Sequence, residues 1–395
     1  MTAFPPMPPE AAQAINDMLD NCACVERDQH VLILAAPDGL HGGRNIVDET
    51  AIAWIQAGVQ ARGAHPTVIW ADMPVRRNVL APEFATRESV WRIPPIVKNA
   101  MKGADLLINH VLDLSSEEEL RELPETLKEL KLPMVRNMAT TAPLLMSAWA
   151  RTPYELIAEI RYRTGEMVVT GESWELTHPN GTHLTGTVGK APGGKAAYPY
   201  WRKNGYYRPF PDGIYPAVNP VGCEGIFIFD HMMPVWARHI GVPPVFDAPV
   251  RLTVHNNKVA KVEGGAEAEV LRGFLKALAN AIGEDGAYEI RAPHGGVHPS
   301  ALVSPAQCPD PDYREFIASF HPSSLHMHLG QAGSNSNFPY NLHTAAELRG
   351  ATLKIGGKVL HDNGRLGVYD DPRVQAVAAK FPDRPGLDSE RWLYT

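Results

Sequence analysis

The sequence predicts a doubly wound α/β domain over residues 1–165, followed by an α+β domain over residues 166–395. Three observations carry this expectation. A chain of 395 residues exceeds the size at which one hydrophobic core stops growing, so two domains are expected. Up to about residue 165, short apolar runs alternate with stretches of helical period, the pattern of parallel strands covered by helices on both faces. From Glu166 onward the pattern changes to short β segments broken by Asn, Gly and Pro turns, with one helix among them.

Taken in order, a proline arm from Pro5 to Pro9 precedes Glu10–Asn21, which has the spacing of an amphipathic helix. His30–Ala36 is a compact apolar run that reads as a strand, and Pro37–Gly43 is a glycine-rich turn behind it. That turn matches neither GxGxxG nor GxxxxGK[ST], so it gives no support to nucleotide binding. Ile46–Ala61 has helical spacing, and His65–Ala71 and Ala104–Asn109 read as strands. Ser116–Leu130 is a charged helix whose opening Ser-Glu-Glu-Glu is a good N-terminal cap, and Lys131–Arg136 is the next strand. In the second half, Met167–Thr170, Trp174–Thr177, Thr182–Thr185, Gly225–Asp230, Val250–Val254 and Lys258–Glu263 are the expected β segments, and Ala266–Ile282 is the helix.

Composition narrows the partners. With 37 basic and 44 acidic residues the net charge is −7, so there is no basic excess to attract nucleic acid or an anionic membrane surface. No window reaches the roughly 18 apolar residues of a membrane span, and the N-terminus lacks the basic-then-apolar plan of a signal peptide, so the expected compartment is the cytoplasm. Cys22 and Cys24 are too close for an ordinary disulfide, and Cys223 and Cys308 stand apart; all four read as reduced thiols. No GxSxG elbow or Ser/His/Asp order is present, so a serine nucleophile is not expected.

The chemistry concentrates near the C-terminal end. Six of sixteen histidines (His294, His298, His321, His326, His328 and His343) fall between residues 294 and 343, where uniform density would place about two. Imidazole is the commonest protein ligand for zinc, iron, copper and nickel, so this excess points to a metal site in the α+β domain. His326 and His328 lie two apart, which in a strand puts both rings on one face. His321 precedes Pro322 at an expected turn and reads as structural, while His178 and His183 flank a hairpin. In the first domain, His110 follows the strand at 104–109 and would face the cleft outside the carboxyl ends of a parallel sheet, where a substrate can touch it. The aromatic run Tyr198–Arg208 can wall a planar ring, with Arg202 or Arg208 to bind a carboxylate.

Several segments, in a shared order, resemble the metallo-aminopeptidases of the aminopeptidase T type. Trp174–Leu184, with Thr177, Gly181, Thr182 and Leu184, resembles their T-x-x-x-G-T-D-L hairpin, with His183 in the aspartate's place. Phe210–Ile214 followed by Gly225–Asp230 is similar to their F-P-x-G-E and G-x-x-x-x-D segments, and Val250–Gly265 to the strand pair before their helix. Ser324–Gly330 is similar to G-x-x-H-x-A-x-G, and His343–Ala345 running into Ala351–Leu360 to H-x-D and T-L-x-V-D-G-x-V. The resemblance covers most of the chain, most specifically residues 174–365. In that family two metals are held by glutamates, histidines and an aspartate. Here the F-P-x-G-E glutamate is Ile214 and the H-x-D aspartate is Ala345, neither of which can coordinate, so a two-metal peptidase is not expected.

Within the same superfamily the chain is nearest in type to 2,5-dihydroxypyridine 5,6-dioxygenase, a ring-cleaving family with one non-haem Fe(II). That resemblance implies ligands at His294 and His343, with His326 substituting for the aspartate lost at Ala345, and His298 or His328 as alternatives to His294. It implies a mononuclear non-haem iron oxygenase that opens a hydroxylated aromatic or N-heteroaromatic ring, with Zn(II) or Mn(II) as other metals such a trio suits. His298 and His328 are the expected proton-moving groups. The glycine-rich Gly330–Asn337 would shape an open coordination site, and a homo-oligomer is expected from the family. A metal-dependent hydrolase of an amide, lactone or ring C–N bond is the alternative with the same histidines, and a relic whose histidines are only structural is the third reading.

Overall fold

The computed structural model describes residues 4–36, 46–71, 93–110, 122–190, 207–215, 217–234, 237, 240–282, 284–330 and 344–388. α1 (Pro9–Asp17) runs into a π turn (Met18–Ala23). It is followed by β1 (His30–Ala35), α2 (Glu49–Ala61), β2 (His65–Trp70), α3 (Pro95–Met101), β3 (Leu106–Asn109), α4 (Glu122–Leu130) and β4 (Met134–Asn137). Alternation along β1 divides its side chains between two cores. Val31, Ile33 and Ala35 pack with Ile15, Leu19, Ile52 and Ile55, whereas Leu32 and Leu34 pack with Val97, Met101, Leu123 and Leu127. A strand buried on both faces must be apolar along its whole length, which is why His30–Ala36 carries no period-two polarity. Asp48 fixes the entry to α2: one carboxylate oxygen accepts the Ala51 N–H at 2.6 Å, and the other accepts that of Ala142 at 2.7 Å. Ala142 opens α5 (Ala142–Met146), which is followed by α6 (Ala148–Arg151) and α7 (Tyr154–Thr170).

The end of α7 corrects one expectation. Met167–Thr170 was expected as a strand for its β-branched residues, but Ile157, Ile160, Thr164 and Val168 recur at helical spacing and are all buried, so that stripe carries the helix on to Gly171. Residue 165 therefore lies inside a helix. The next strands are β5 (Ser173–Thr177), β6 (His183–Val188) and β7 (Tyr207–Phe210). β7 does not stay with its neighbours in sequence. It pairs in parallel with β4 and completes a five-stranded parallel sheet of order β2-β1-β3-β4-β7. A peptide in the cis form joins Phe210 to Pro211 at its end.

The remaining elements are β8 (Pro220–Met232), β9 (Val245–His255), β10 (Lys258–Glu263), α8 (Ala266–Ile282), α9 (Glu284–Ala287), β11 (Ile290–Gly295), α10 (Pro311–Ala318), β12 (Ser324–Leu329), β13 (Thr344–Arg349), β14 (Thr352–Ile355), β15 (Lys358–Asp362), β16 (Arg365–Leu366) and α11 (Pro372–Ala378). Among the described residues they form an antiparallel sheet of order β11-β12-β13-β8-β6-β5-β14-β15-β16, with β9 paired to β8 and β10 to β9. The long strand β8 makes this possible, serving β6 along one stretch, β9 along another, and β13 at Met232 and His231. α8 closes the core beneath, with Leu271, Phe274, Leu275 and Leu278 packed with Phe227, Phe229, Val250 and Leu252. The two halves interlock: Tyr313, Phe316 and Ile317 of α10 belong to the core of the parallel half, with Trp149 and Tyr154. The result is a mixed α/β fold. No helix among the described residues is long and apolar enough to cross a membrane.

Candidate metal centre

Every residue of β12 is buried, yet its two sides differ. Leu325, Met327 and Leu329 belong to the core of the antiparallel half, so period-two alternation turns His326 and His328 to the other face. β11 supplies His294, registered opposite His326, after a shift in the pairing between Arg291 and His294. The sequence permits this close path at Gly295 and Gly296. A Cβ at Gly295 would lie 2.5 Å from the Ser324 carbonyl oxygen, and one at Gly296 would lie 2.1 Å from that of Phe320.

His294 meets the rings of both His326 and His328 there. His294 stands nearly perpendicular to both neighbours, with ring centroids 4.9 Å from His328 and 5.3 Å from His326. The Nε2 atoms of His294 and His328 are 3.1 Å apart. Two imidazole nitrogens at about 2.1 Å from one ion and at right angles would be separated by about 3.0 Å, so this pair has the spacing of two adjacent ligands. His326 differs, because its Nε2 lies 3.0 Å from Ser324 Oγ. Ser324 Oγ–H donates to Glu347 Oε1 at 2.8 Å, and the Arg349 Nε–H donates to the same oxygen at 3.0 Å. Arg349 reaches on to Glu315 of α10. Burial alone would raise the Glu347 carboxyl, but Arg349, His326 and the hydrogen bonds more than offset it and hold the group below the usual carboxylate range.

Across β12 from the histidines, His328 faces Ala345 and His326 faces Glu347. Ala345 is fully buried in the core of the parallel half, so the position without its carboxylate packs apolar surface instead. Ile214 behaves alike, forming an isolated bridge with Gly296 and packing against that core. Glu347 and His361 escape the sequence reading. Only the cross-strand register brings Glu347 to His326, and alternation along β13 was the one available signal.

His298 lies with a second group. Its ring meets Trp149 edge-on at 6.5 Å, and its Nδ1 accepts the Ser300 N–H at 3.2 Å. Burial, with His321 nearby, lowers it to about 3; burial, with His361 nearby, likewise lowers His321 to about 3. His361 falls to about 4 through burial, although its Nδ1–H bond to the Pro322 carbonyl at 2.8 Å partly opposes this. All three are neutral imidazoles at physiological pH.

The other expected contacts are spread out. His110 sits fully buried at the carboxyl end of β3, accepting at Nε2 the Asn137 amide N–H at 3.0 Å, and burial lowers it to about 4. Arg208 is buried in β7, where its guanidinium donates to the Cys22 and Ala23 carbonyls at 3.1 Å each, closing the π turn. His183 is exposed on its hairpin, 3.2 Å from Glu175. Arg202, His343, Gly330–Asn337 beyond Gly330, and the Pro37–Gly43 turn lie outside the described residues. Among the described residues no three His, Cys, Asp or Glu side chains converge on one point as a complete ligand set; His294 and His328 are the pair brought together.

Residues 10–304 match the model of the NicX family, 2,5-dihydroxypyridine 5,6-dioxygenase. His294 and His298 fall within the match, and β12 and β13 beyond it. No curated protein matches the chain. Among solved structures, the 2,5-dihydroxypyridine dioxygenase of Pseudomonas putida KT2440 is similar in fold at 14% identity, covering 90% of this chain and 96% of its own, with a TM-score of 0.61. AmpT of Thermus thermophilus aligns at 15% identity over 91% of this chain and 99% of its own, with a TM-score of 0.47. The family match spans well over half of the sequence, and the chain therefore belongs to the NicX family of ring-cleaving dioxygenases.

Proposed function

We propose that this dioxygenase is a mononuclear non-haem iron enzyme whose substrate is a dihydroxylated pyridine or a close N-heteroaromatic relative. The observation that carries the metal reading is the 3.1 Å separation of the His294 and His328 Nε2 atoms, which suits one shared ion and otherwise requires one ring to donate to the other. In this proposal His294 and His328 hold the iron, with His343 as the third ligand that the family resemblance implies. This exchanges the roles first expected of His326 and His328: His326, held by Ser324, stands beside the ion as the polar group next to the substrate. Bound ferrous iron would supply the one-electron chemistry toward dioxygen that side chains lack.

The protein's own residues have separate tasks. His110, buried at the carboxyl end of the parallel sheet with Nε2 bonded to Asn137, is proposed to reach a substrate hydroxyl or ring nitrogen through its remaining Nδ1. His298 is proposed as a proton relay only in its neutral form, since an imidazole with a pKa of about 3 holds no spare proton near neutrality. Arg208 is left a structural part in this reading, because its guanidinium bonds the Cys22 and Ala23 carbonyls, and any carboxylate contact passes to Arg202. A homo-oligomer and a cytoplasmic setting remain part of the proposal.

The test is oxygen uptake by anaerobically iron-loaded protein on addition of 2,5-dihydroxypyridine. Stoichiometric consumption of dioxygen with loss of the aromatic absorbance supports the proposal. Turnover of the same compound by zinc-loaded protein without oxygen would contradict it and favour hydrolysis.

A further inference from the structure

A serine hydroxyl has one proton to give. Ser324 gives it to Glu347, a carboxylate that is 2% exposed and paired with the Arg349 guanidinium at 3.0 Å. Oriented that way, Ser324 Oγ can offer only a lone pair to His326 Nε2, 3.0 Å away. The Nε2 of His326 must then carry the hydrogen, and in the neutral ring the lone pair resides on Nδ1. We infer that Glu347 is a positioning residue for ring cleavage, acting through Ser324 to fix the tautomer and ring orientation of His326 beside the His294/His328 pair. The device is supported from outside the sheet. Arg349 also bonds Glu315 on α10, so the carboxylate that orients Ser324 is anchored to the helix that packs into the parallel half.

This assignment rests on the proposed place of His326 next to the metal, but its first test does not. Nitrogen NMR of the histidine-labelled, metal-free full chain in mildly alkaline buffer reads each ring's tautomer directly. The expected result is a protonated Nε2 and an unprotonated Nδ1 at His326. Ser324→Ala should release both nitrogens toward an averaged state, and Ser324→Thr should restore the wild-type pattern. In the iron-loaded enzyme, Ser324→Ala should lower kcat by about 10- to 100-fold, the usual range for losing a group that orients an active-site histidine, with KM little changed. Glu347→Gln should do the same less completely, because its amide can still meet the serine. A wild-type His326 protonated on Nδ1, or a Ser324→Ala enzyme with undiminished kcat, overturns the inference. Wild-type protein that takes up no iron yet shows the Nε2–H tautomer supports the orientation and counts instead against the metal reading.

Discussion

Two groups of histidines occupy neighbouring parts of this molecule and are built in opposite ways. His294, His326 and His328 lie on one face of β11 and β12, with ring edges turned toward one another and two nitrogens 3.1 Å apart. His298, His321 and His361 are sunk singly among Trp149, Phe320, Tyr215 and the backbone, each Nε2 unpartnered and each ring forced neutral by burial. The lesson is that a local excess of histidine is not a ligand count. What separates the groups is whether adjacent strands bring nitrogens within a shared ion's reach, which depends on register and is invisible to composition.

The largest effect should come from the first group. His294→Ala or His328→Ala should abolish stoichiometric iron binding and lower ring cleavage by well over the roughly 100-fold typical of a supporting residue, measured by metal analysis and oxygen uptake. Retained iron in both variants would dissolve the distinction between the groups. The second group should answer in stability, with iron content kept. His298→Ala or His321→Ala should cost about 2–4 kcal/mol by denaturant unfolding, the range for emptying a buried ring's volume, while the surviving folded protein binds iron as the wild type does.

Acid sharpens the contrast. The folded pKa values of about 3, 3 and 4 lie below the ordinary 6.5, so below about pH 6.5 the unfolded chain binds protons that the folded chain refuses. Stability contributed by these rings is therefore complete above pH 6.5 and lost as pH falls toward 4 and 3, at up to about 1.4 kcal/mol per pH unit for each ring. His321→Gln should make the pH dependence of unfolding shallower by about one proton in that window. The smallest effect belongs to exposed His183, whose substitution by alanine should change neither thermal stability nor iron content.

Much of the fold was legible where local pattern decides it. His30–Ala36 and Ala104–Asn109 were readable as buried parallel strands because strands covered on both faces must be continuously apolar; His65–Ala71 reads the same way but forms the half-exposed edge strand β2. Met167–Thr170 misled because Val168 and Val169 favour strands in isolation, whereas burial of Thr164 and Val168 at helical spacing decides the matter. The passage of Tyr207–Phe210 into the first sheet depends on a pairing with Met134–Asn137 far away in sequence, which no local period encodes. The same holds within the site. His326 and His328 could be placed on one face by spacing alone, but Glu347 acquired meaning only from its register opposite His326, and His361 only from its bond to the Pro322 carbonyl, distant in sequence. Ala345 was recognisable as a lost carboxylate; that the strand packs this position into the opposite half's core required the fold.

In the proposed reading the iron belongs to the His294/His328 pair and not to the trio of His298, His321 and His361. A crystal structure of the anaerobically iron-loaded protein tests it most directly. The expected result is one iron bound by the Nε2 atoms of His294 and His328, with His326 hydrogen-bonded to Ser324 beside it. Iron bound among His298, His321 and His361, or an iron-loaded active enzyme in which His294 and His328 carry no metal, would contradict it.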